Sequence, residues 1–286
     1  MKVEVAIVNA FTDGGKGGNP AGVVINADSL NESQKLAVAK KVGLSETAFV
    51  SKSKIADFKL DFYTPKKQIA HCGHATIATF SYLSQLGSLQ NSMTSKETID
   101  GRRDIQVNGD FSYMEQLAPK YISVIEKNAV LEALGISSDI TLSDPMIVNT
   151  GNAFMLVGVT SREALDGLCP NHEIIKEISE KYGLVGFYVF TLEANILGRD
   201  ASTRMFAPLY GITEEAATGM AAGPLACFLH DILKFRQTEF KIEQGYSMLQ
   251  PSPSCIEVLL KIENGVINYL LAGGVGVVSN RMHVEI

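Results

Sequence analysis

Cysteine is scarce in this chain. Four residues in 286, Cys72, Cys169, Cys227 and Cys255, lie far apart, and none forms a CxxC pair. That spacing excludes a zinc-finger pattern and offers no disulfide framework, so a reducing, cytoplasmic setting is expected. No apolar run approaches the roughly 20 residues that cross a bilayer, so no membrane is expected. Basic runs are also missing. The 25 Lys+Arg and 31 Asp+Glu give a net charge of −6, which argues against a nucleic-acid surface. The N-terminus, Met1-Lys2-Val3-Glu4-Val5, puts an acid where an export signal wants an apolar core, so no signal is expected. The motifs GxSxG, HExxH and GxGxxG do not occur. Asp13 to Gly18 is glycine-rich without phosphate-loop spacing and reads as a flexible loop or a lid. His172, His230 and His283 stand alone in the sequence, so no metal site is expected.

What is present is a globular composition, 46% hydrophobic and 20% charged, at a length that favours two domains. An internal repeat organises it. Ile7-Val8-Asn9 returns as Ile147-Val148-Asn149, and Gly18-Asn19 as Gly151-Asn152. Lys41-Val42-Gly43-Leu44 returns as Lys181-Tyr182-Gly183-Leu184, and Tyr63-Thr64-Pro65 as Phe206-Ala207-Pro208. Each aromatic-x-Pro precedes a small-residue helix start, Cys72-Gly73-His74-Ala75-Thr76 in one copy and Ala216-Ala217-Thr218-Gly219-Met220 in the other. Asn31 and Asn171 are expected N-caps of matching helices that close at Gly43 and Gly183. Strands are expected over Val3 to Val8, Thr47 to Val50 and Phe187 to Leu192. Phe58 to Tyr63 alternates as a half-buried strand does. Ala75 to Leu86 and Ala221 to Leu233 are apolar all round and read as buried helices. Leu270 to Val278 reads as one late strand or hairpin. The expected fold is α+β, with two pseudo-symmetric domains, residues 1–120 and 121–286. Each would be an antiparallel sheet curled around a central helix, with the last strand returning to the first domain. The boundary is placed near Leu117 to Ile125, where Pro119 interrupts.

Differences between the copies point to chemistry. Aligning Gly43-Leu44 with Gly183-Leu184 sets Glu46 opposite Gly186, between flanks that stay apolar. Glu46 is then either a general acid/base at a half-buried site or a solvated residue at a helix–strand turn. Gly73 lets a ligand approach the backbone, and the first amides of a buried helix suit a carboxylate. The amides at Thr218-Gly219-Met220 would be a second set, and two such ends facing one cleft would hold one substrate. His74 reads equally as a proton shuttle or as a helix-capping histidine. Cys72 could be an activated thiol, but a small buried filler is the simpler reading, because Ala216 is taken as its counterpart.

In these motifs the sequence resembles the phenazine-biosynthesis-like (PhzF-like) family, which shares the diaminopimelate epimerase fold. The resemblance is carried by Val8-Asn9-Ala10-Phe11-Thr12, Gly18-Asn19-Pro20-Ala21-Gly22, Ser45-Glu46-Thr47-Ala48, Cys72-Gly73-His74-Ala75-Thr76, Arg204-Met205-Phe206-Ala207-Pro208, Ala217-Thr218-Gly219 and Gln244-Gly245. It implies a homodimer without a cofactor, acting on a small carboxylic acid, with Glu46 as general acid/base. Gly73 and His74 match the first half of the family's substrate site, and Asn19 falls within a matched motif. The second half departs from the pattern Glu-Asp-Pro-Ala-Thr-Gly-Ser. Glu215 stands where an Asp contacts substrate, Met220 replaces a hydroxyl, and Leu249-Gln250-Pro251-Ser252 replaces Gly-Arg-Pro-Ser. The expectation is an isomerase with Glu46 catalytic and Gly73, His74, Glu215, Thr218, Gly219 and Met220 binding a substrate unlike the phenazine precursor. A two-cysteine racemase and a non-catalytic binding protein are the alternatives.

Overall fold

The computed structural model describes residues 1–89, 91–124 and 126–286. The chain forms two units, Met1–Glu115 with Gly273–Ile286, and Gln116–Ala272. The elements of the first are β1 (Lys2–Ala10), β2 (Asn19–Val24), α1 (Glu32–Val42), β3 (Thr47–Ser51), β4 (Phe58–Tyr63), β5 (Gln68–Ile69), α2 (Gly73–Gln85), β6 (Met93–Thr98), β7 (Gly101–Asn108) and β8 (Phe111–Leu117). The second runs through β9 (Lys120–Ser123), α3 (Lys127–Leu134), β10 (Met146–Asn149), β11 (Ala153–Gly158), α4 (Arg162–Asp166), α5 (His172–Tyr182), β12 (Gly186–Thr191), β13 (Ala201–Ala207), β14 (Ile212–Glu215), α6 (Gly219–Asp231), β15 (Glu239–Gln244) and β16 (Ser254–Glu263). Two last strands follow, β17 (Val266–Val275) and β18 (Val277–Glu285).

The repeat is visible as strand pairing. In the first unit β1–β2 is antiparallel, β2–β3 parallel, β3–β4 antiparallel, β4–β6 parallel and β6–β7 antiparallel. The second unit repeats that order through β10, β11, β12, β13, β15 and β16. Parallel neighbours need a crossover, and helices supply it: α1 and α2 in the first unit, α5 and α6 in the second. The sheets are therefore mixed, with two parallel pairings each. The helix α2 packs against β1, β2, β3, β7 and β18, and α6 against β10, β11 and β16.

Local sequence explains the helix ends. Asn31 caps α1 by accepting from Gln34 N, and the Gln34 side chain returns the bond to Asn31 N, a capping box. Asn171 accepts from Glu173 N and Ile174 N at the start of α5. Gly43 and Gly183 close the two helices in the left-handed region.

The structure sharpens several expectations. The first unit ends at Glu115, because Gln116 and Leu117 already bond within the second. Thr150 Oγ1 donates to Gln116 Oε1 at 2.7 Å, and Leu117 N to Thr150 O at 3.0 Å. Ile125, the far end of the expected boundary, lies outside the described residues. The Leu270 to Val278 run is parts of two strands meeting at Gly276, and β18 pairs along β1 from Lys2↔Glu285 to Asn9↔Val277. β4 is not half-buried: from Leu60 onward both faces are covered, and Asp61 is accommodated by an ion pair with Lys35 at 2.5 Å. Asp13 to Gly18 folds as a tight turn. Asp13 and Lys16 exchange backbone bonds of 2.9 and 3.1 Å across a Gly14-Gly15 turn.

Candidate active site

Glu46 is delivered by the turn after α1. Gly43 reverses the chain, and Glu46 immediately precedes β3, where its carbonyl accepts from Gly22 N at 3.1 Å. Its side chain is 15% exposed. His74 is the second residue of α2, with a side chain 10% exposed, and its Nε2 lies 3.3 Å from Glu46 Oε2. The angle is too poor for a hydrogen bond, so Nε2 is a buried polar atom without one. On the other side, His74 Nδ1 lies 3.6 Å from Cys72 Sγ. Burial pushes the His74 pKa down more than the Glu46 carboxylate pulls it up, so the imidazole is held neutral.

Cys72 is the N-cap residue of α2, and its side chain does not cap the helix. Its carbonyl accepts from Thr76 Oγ1 at 2.7 Å and from Thr76 N at 3.2 Å. The amides of Gly73, His74 and Ala75 therefore start a helix without a side-chain cap, and the helix dipole adds to their pull on an anion. Because α2 begins at Gly73 and α6 at Gly219, the counterpart of Cys72 is Thr218, not Ala216. That corrects the alignment and leaves the second unit without a matching thiol.

Glu46, Cys72 and His74 bring one ligand atom each to within 4.8 Å of one another, a donor set that the scattered histidines of the sequence did not suggest. The donors fit a divalent ion in type, but the surroundings do not. The buried ammonium of Lys96 packs on the same helical turn, donating to Thr76 Oγ1 at 2.6 Å, and the positive end of α2 adds to it. The setting favours an anion.

In the second unit Gln244 organises the helix start. Its Oε1 accepts from Thr218 N at 3.0 Å and from Tyr188 Oη at 3.1 Å. Its Nε2 donates to Glu215 O at 2.7 Å and to Thr218 Oγ1 at 3.0 Å. Gly245 follows with φ +81°, and a Cβ there would lie 2.2 Å from Ser252 O and 2.8 Å from Ala216 O. Gly219 O accepts from Gln116 Nε2 at 2.9 Å, and Met220 Sδ accepts from Asn152 Nδ2 at 3.4 Å. Glu215 is half-buried at the end of β14, whereas Glu214 is tied to Arg204 by two 2.9 Å bonds. Gln250 is exposed. Asn19 opens β2, buried opposite Ala10. The structure thus groups Gly73, His74, Glu46 and Cys72 in one unit, and Glu215, Thr218, Gly219 and Met220 in the other. Reasoning from sequence missed Lys96 and the clamp made by Gln244. The Gln244-Gly245 motif was the available signal for the clamp.

The first unit thus holds a carboxylate facing a neutral imidazole at an uncapped helix end, on a duplicated α+β scaffold. The model for the family described as phenazine biosynthesis-like protein matches residues 8–281, and the chain belongs to that family. An uncharacterized isomerase of Clostridium acetobutylicum is 32% identical over 90% of this chain and 89% of that protein. The trans-2,3-dihydro-3-hydroxyanthranilate isomerase of Pseudomonas chlororaphis is 32% identical, over 86% and 87%. A PhzF-family phenazine biosynthesis protein of Bacillus anthracis superposes with a TM-score of 0.89 at 26% identity, covering both chains fully. The protein is an isomerase.

Proposed function

We propose that the enzyme shifts a proton within a small carboxylic acid, with Glu46 as the group that carries it. Glu46 takes a proton from one carbon of the substrate, exchanges it with solvent and delivers one at another. The acid is isomerised, and the carboxylate is regenerated with no external oxidant or base. The observation that carries this reading is the 3.3 Å approach of Glu46 Oε2 to the neutral His74 Nε2 beside an uncapped helix start. The amides of Gly73, His74 and Ala75 hold the carboxylate, and His74 orients the acid/base. A positioned group of this kind contributes about 10²–10⁴-fold in rate. A thiol pair is not used, because Thr218 and not cysteine corresponds to Cys72.

In the second unit Thr218 and Gly219 are the corresponding binding residues. Glu215 and Met220 depart from the family pattern, and there we place the difference in substrate. The Pseudomonas relative is named for trans-2,3-dihydro-3-hydroxyanthranilate. Supporting a different substrate here is Met220, a thioether half-buried where the family pattern has a hydroxyl. Turnover of that dihydro acid against a panel of cyclic and α-amino carboxylic acids tests the reading. A better substrate than the dihydro acid is expected. The dihydro acid emerging as best substrate overturns the specificity claim, and ligand binding with no isomerisation anywhere in the panel supports a binding protein instead.

A further inference from the structure

A fully buried lysine of the first unit takes no part in the proton transfer proposed above. Lys96, in β6, is fully buried. Its ammonium donates to Thr76 Oγ1 at 2.6 Å and approaches His71 Nδ1 at 3.5 Å and Met114 Sδ at 3.8 Å. It stands 5.4 Å from the centre of the Phe62 ring. These partners are a hydroxyl, an imidazole, a thioether and a ring, and none is a carboxylate. A buried ammonium without a carboxylate is a strong liability for folding.

The repeat shows that the fold does not need it. Lys96 pairs with Phe58 across β4–β6, and Glu97 with Lys59. In the second unit the corresponding pairs are Ile242 with Ala201 and Glu243 with Ser202. Glu97 and Glu243 confirm the correspondence. Each braces the hairpin before its partner strand, Glu97 by accepting from Ser53, and Glu243 from Asn195 and Ile196. With α2 and α6 aligned at Gly73 and Gly219, Thr76 corresponds to Ala222. Thr76 and Lys96, bonded and buried in one unit, thus correspond to buried Ala222 and Ile242 in the other. The same strand position packs well without charge.

We propose that Lys96 is a positioning residue of the carboxylate site, a buried positive charge set behind the first turn of α2 and joined to it through Thr76. The inference rests on the carboxylate reading given above. Thr76 accepts from Lys96 and donates to the Cys72 carbonyl, so the charge is wired to the N-cap of the helix whose amides receive the anion. The charged and titratable groups around it are His71, Cys72, Asp100 and Arg103. Burial pulls the Lys96 amine down to about 7, so an anion docked on the turn draws a proton onto it. Burial and the Lys96 charge push His71 down to about 3, so His71 does not compete for that proton.

Lys96→Met keeps the stem and removes the charge. In equilibrium urea denaturation, Lys96→Met is expected to be at least as stable as wild type at pH 7. Wild type should gain stability between pH 7 and 9.5, and the variant should lose that gain. In calorimetric titration at pH 7.5, the probes are benzoate and 3-hydroxyanthranilate, the latter an aromatic acid with the substituents named for the Pseudomonas relative's substrate. Across buffers of different ionisation enthalpy, wild type is expected to take up a fraction of a proton on binding. Lys96→Met is expected to bind at least tenfold more weakly, without uptake. A variant that is less stable than wild type at pH 7 makes Lys96 a structural brace and overturns the proposal. So does a variant that matches wild type in affinity and uptake. Wild type that binds neither probe removes the carboxylate site itself, and the proposal with it.

Discussion

Glu46 Oε2 and His74 Nε2 lie 3.3 Å apart, one side chain from the turn before β3 and the other from the first turn of α2. Neither has a counterpart of its kind in the second unit: Gly186 occupies the position of Glu46 and Met220 that of His74. Under the proposed mechanism, proton chemistry is concentrated in one unit of a duplicated fold.

His74→Asn keeps a polar side chain and removes the imidazole. The rate of isomerisation on the best substrate should fall about 10–100-fold, because a group that orients the acid/base is lost while the acid/base remains. Initial rates check this. An unchanged rate would reduce His74 to a helix residue.

Acid should destabilise the protein through its buried histidines. The folded-state pKa of His71 is down at about 3 and that of His74 is also lowered, so the unfolded chain binds more protons below the ordinary histidine value. Stability is full above that value and falls as pH drops below about 6.5, by up to about 1.4 kcal/mol per pH unit for each histidine. Denaturation midpoints from pH 7 to 4.5 test the slope, and His71→Asn should flatten it.

Gln244 makes four bonds that fix the start of α6. Gln244→Leu is expected to cost about 2–4 kcal/mol, since each buried bond contributes about 1 kcal/mol and stranded donors add to the loss. Hydrogen exchange at residues 215–218 should accelerate in the variant. Unchanged exchange there would contradict the clamp.

The adjacent acids Glu214 and Glu215 should separate cleanly. Glu214→Ala leaves the nearly buried Arg204 without its bidentate partner and should destabilise by about 3–5 kcal/mol. Glu215→Ala should cost less stability than Glu214→Ala and change substrate preference. Thermal melts paired with the substrate panel distinguish the two.

Much of this was legible in the sequence where the cause is local. The caps at Asn31 and Asn171 and the stops at Gly43 and Gly183 act within one helical turn. Glu46 stood out because a repeat lets one copy report what the other does not need, and His74 because it lies at the small-residue start of a buried helix. Lys96 was invisible for a physical reason. A lysine in a short strand reads as solvent-facing, and its burial is decided by Thr76, twenty positions away, and by rings and strands not adjacent in sequence. The Gln244 clamp is likewise long-range, joining Tyr188 from 56 positions away. The counterpart of Cys72 was misassigned because the two loops before α2 and α6 differ in length.

The proposed isomerisation turns on Glu46 carrying the proton. Deuterium incorporation by NMR in heavy water measures it most directly, with wild type and Glu46→Gln on the best acid of the panel. Wild type is expected to place deuterium at a single carbon of the product, and the variant to lose at least about 100-fold in rate, at an unchanged melting temperature. Incorporation at the wild-type rate by Glu46→Gln would contradict it.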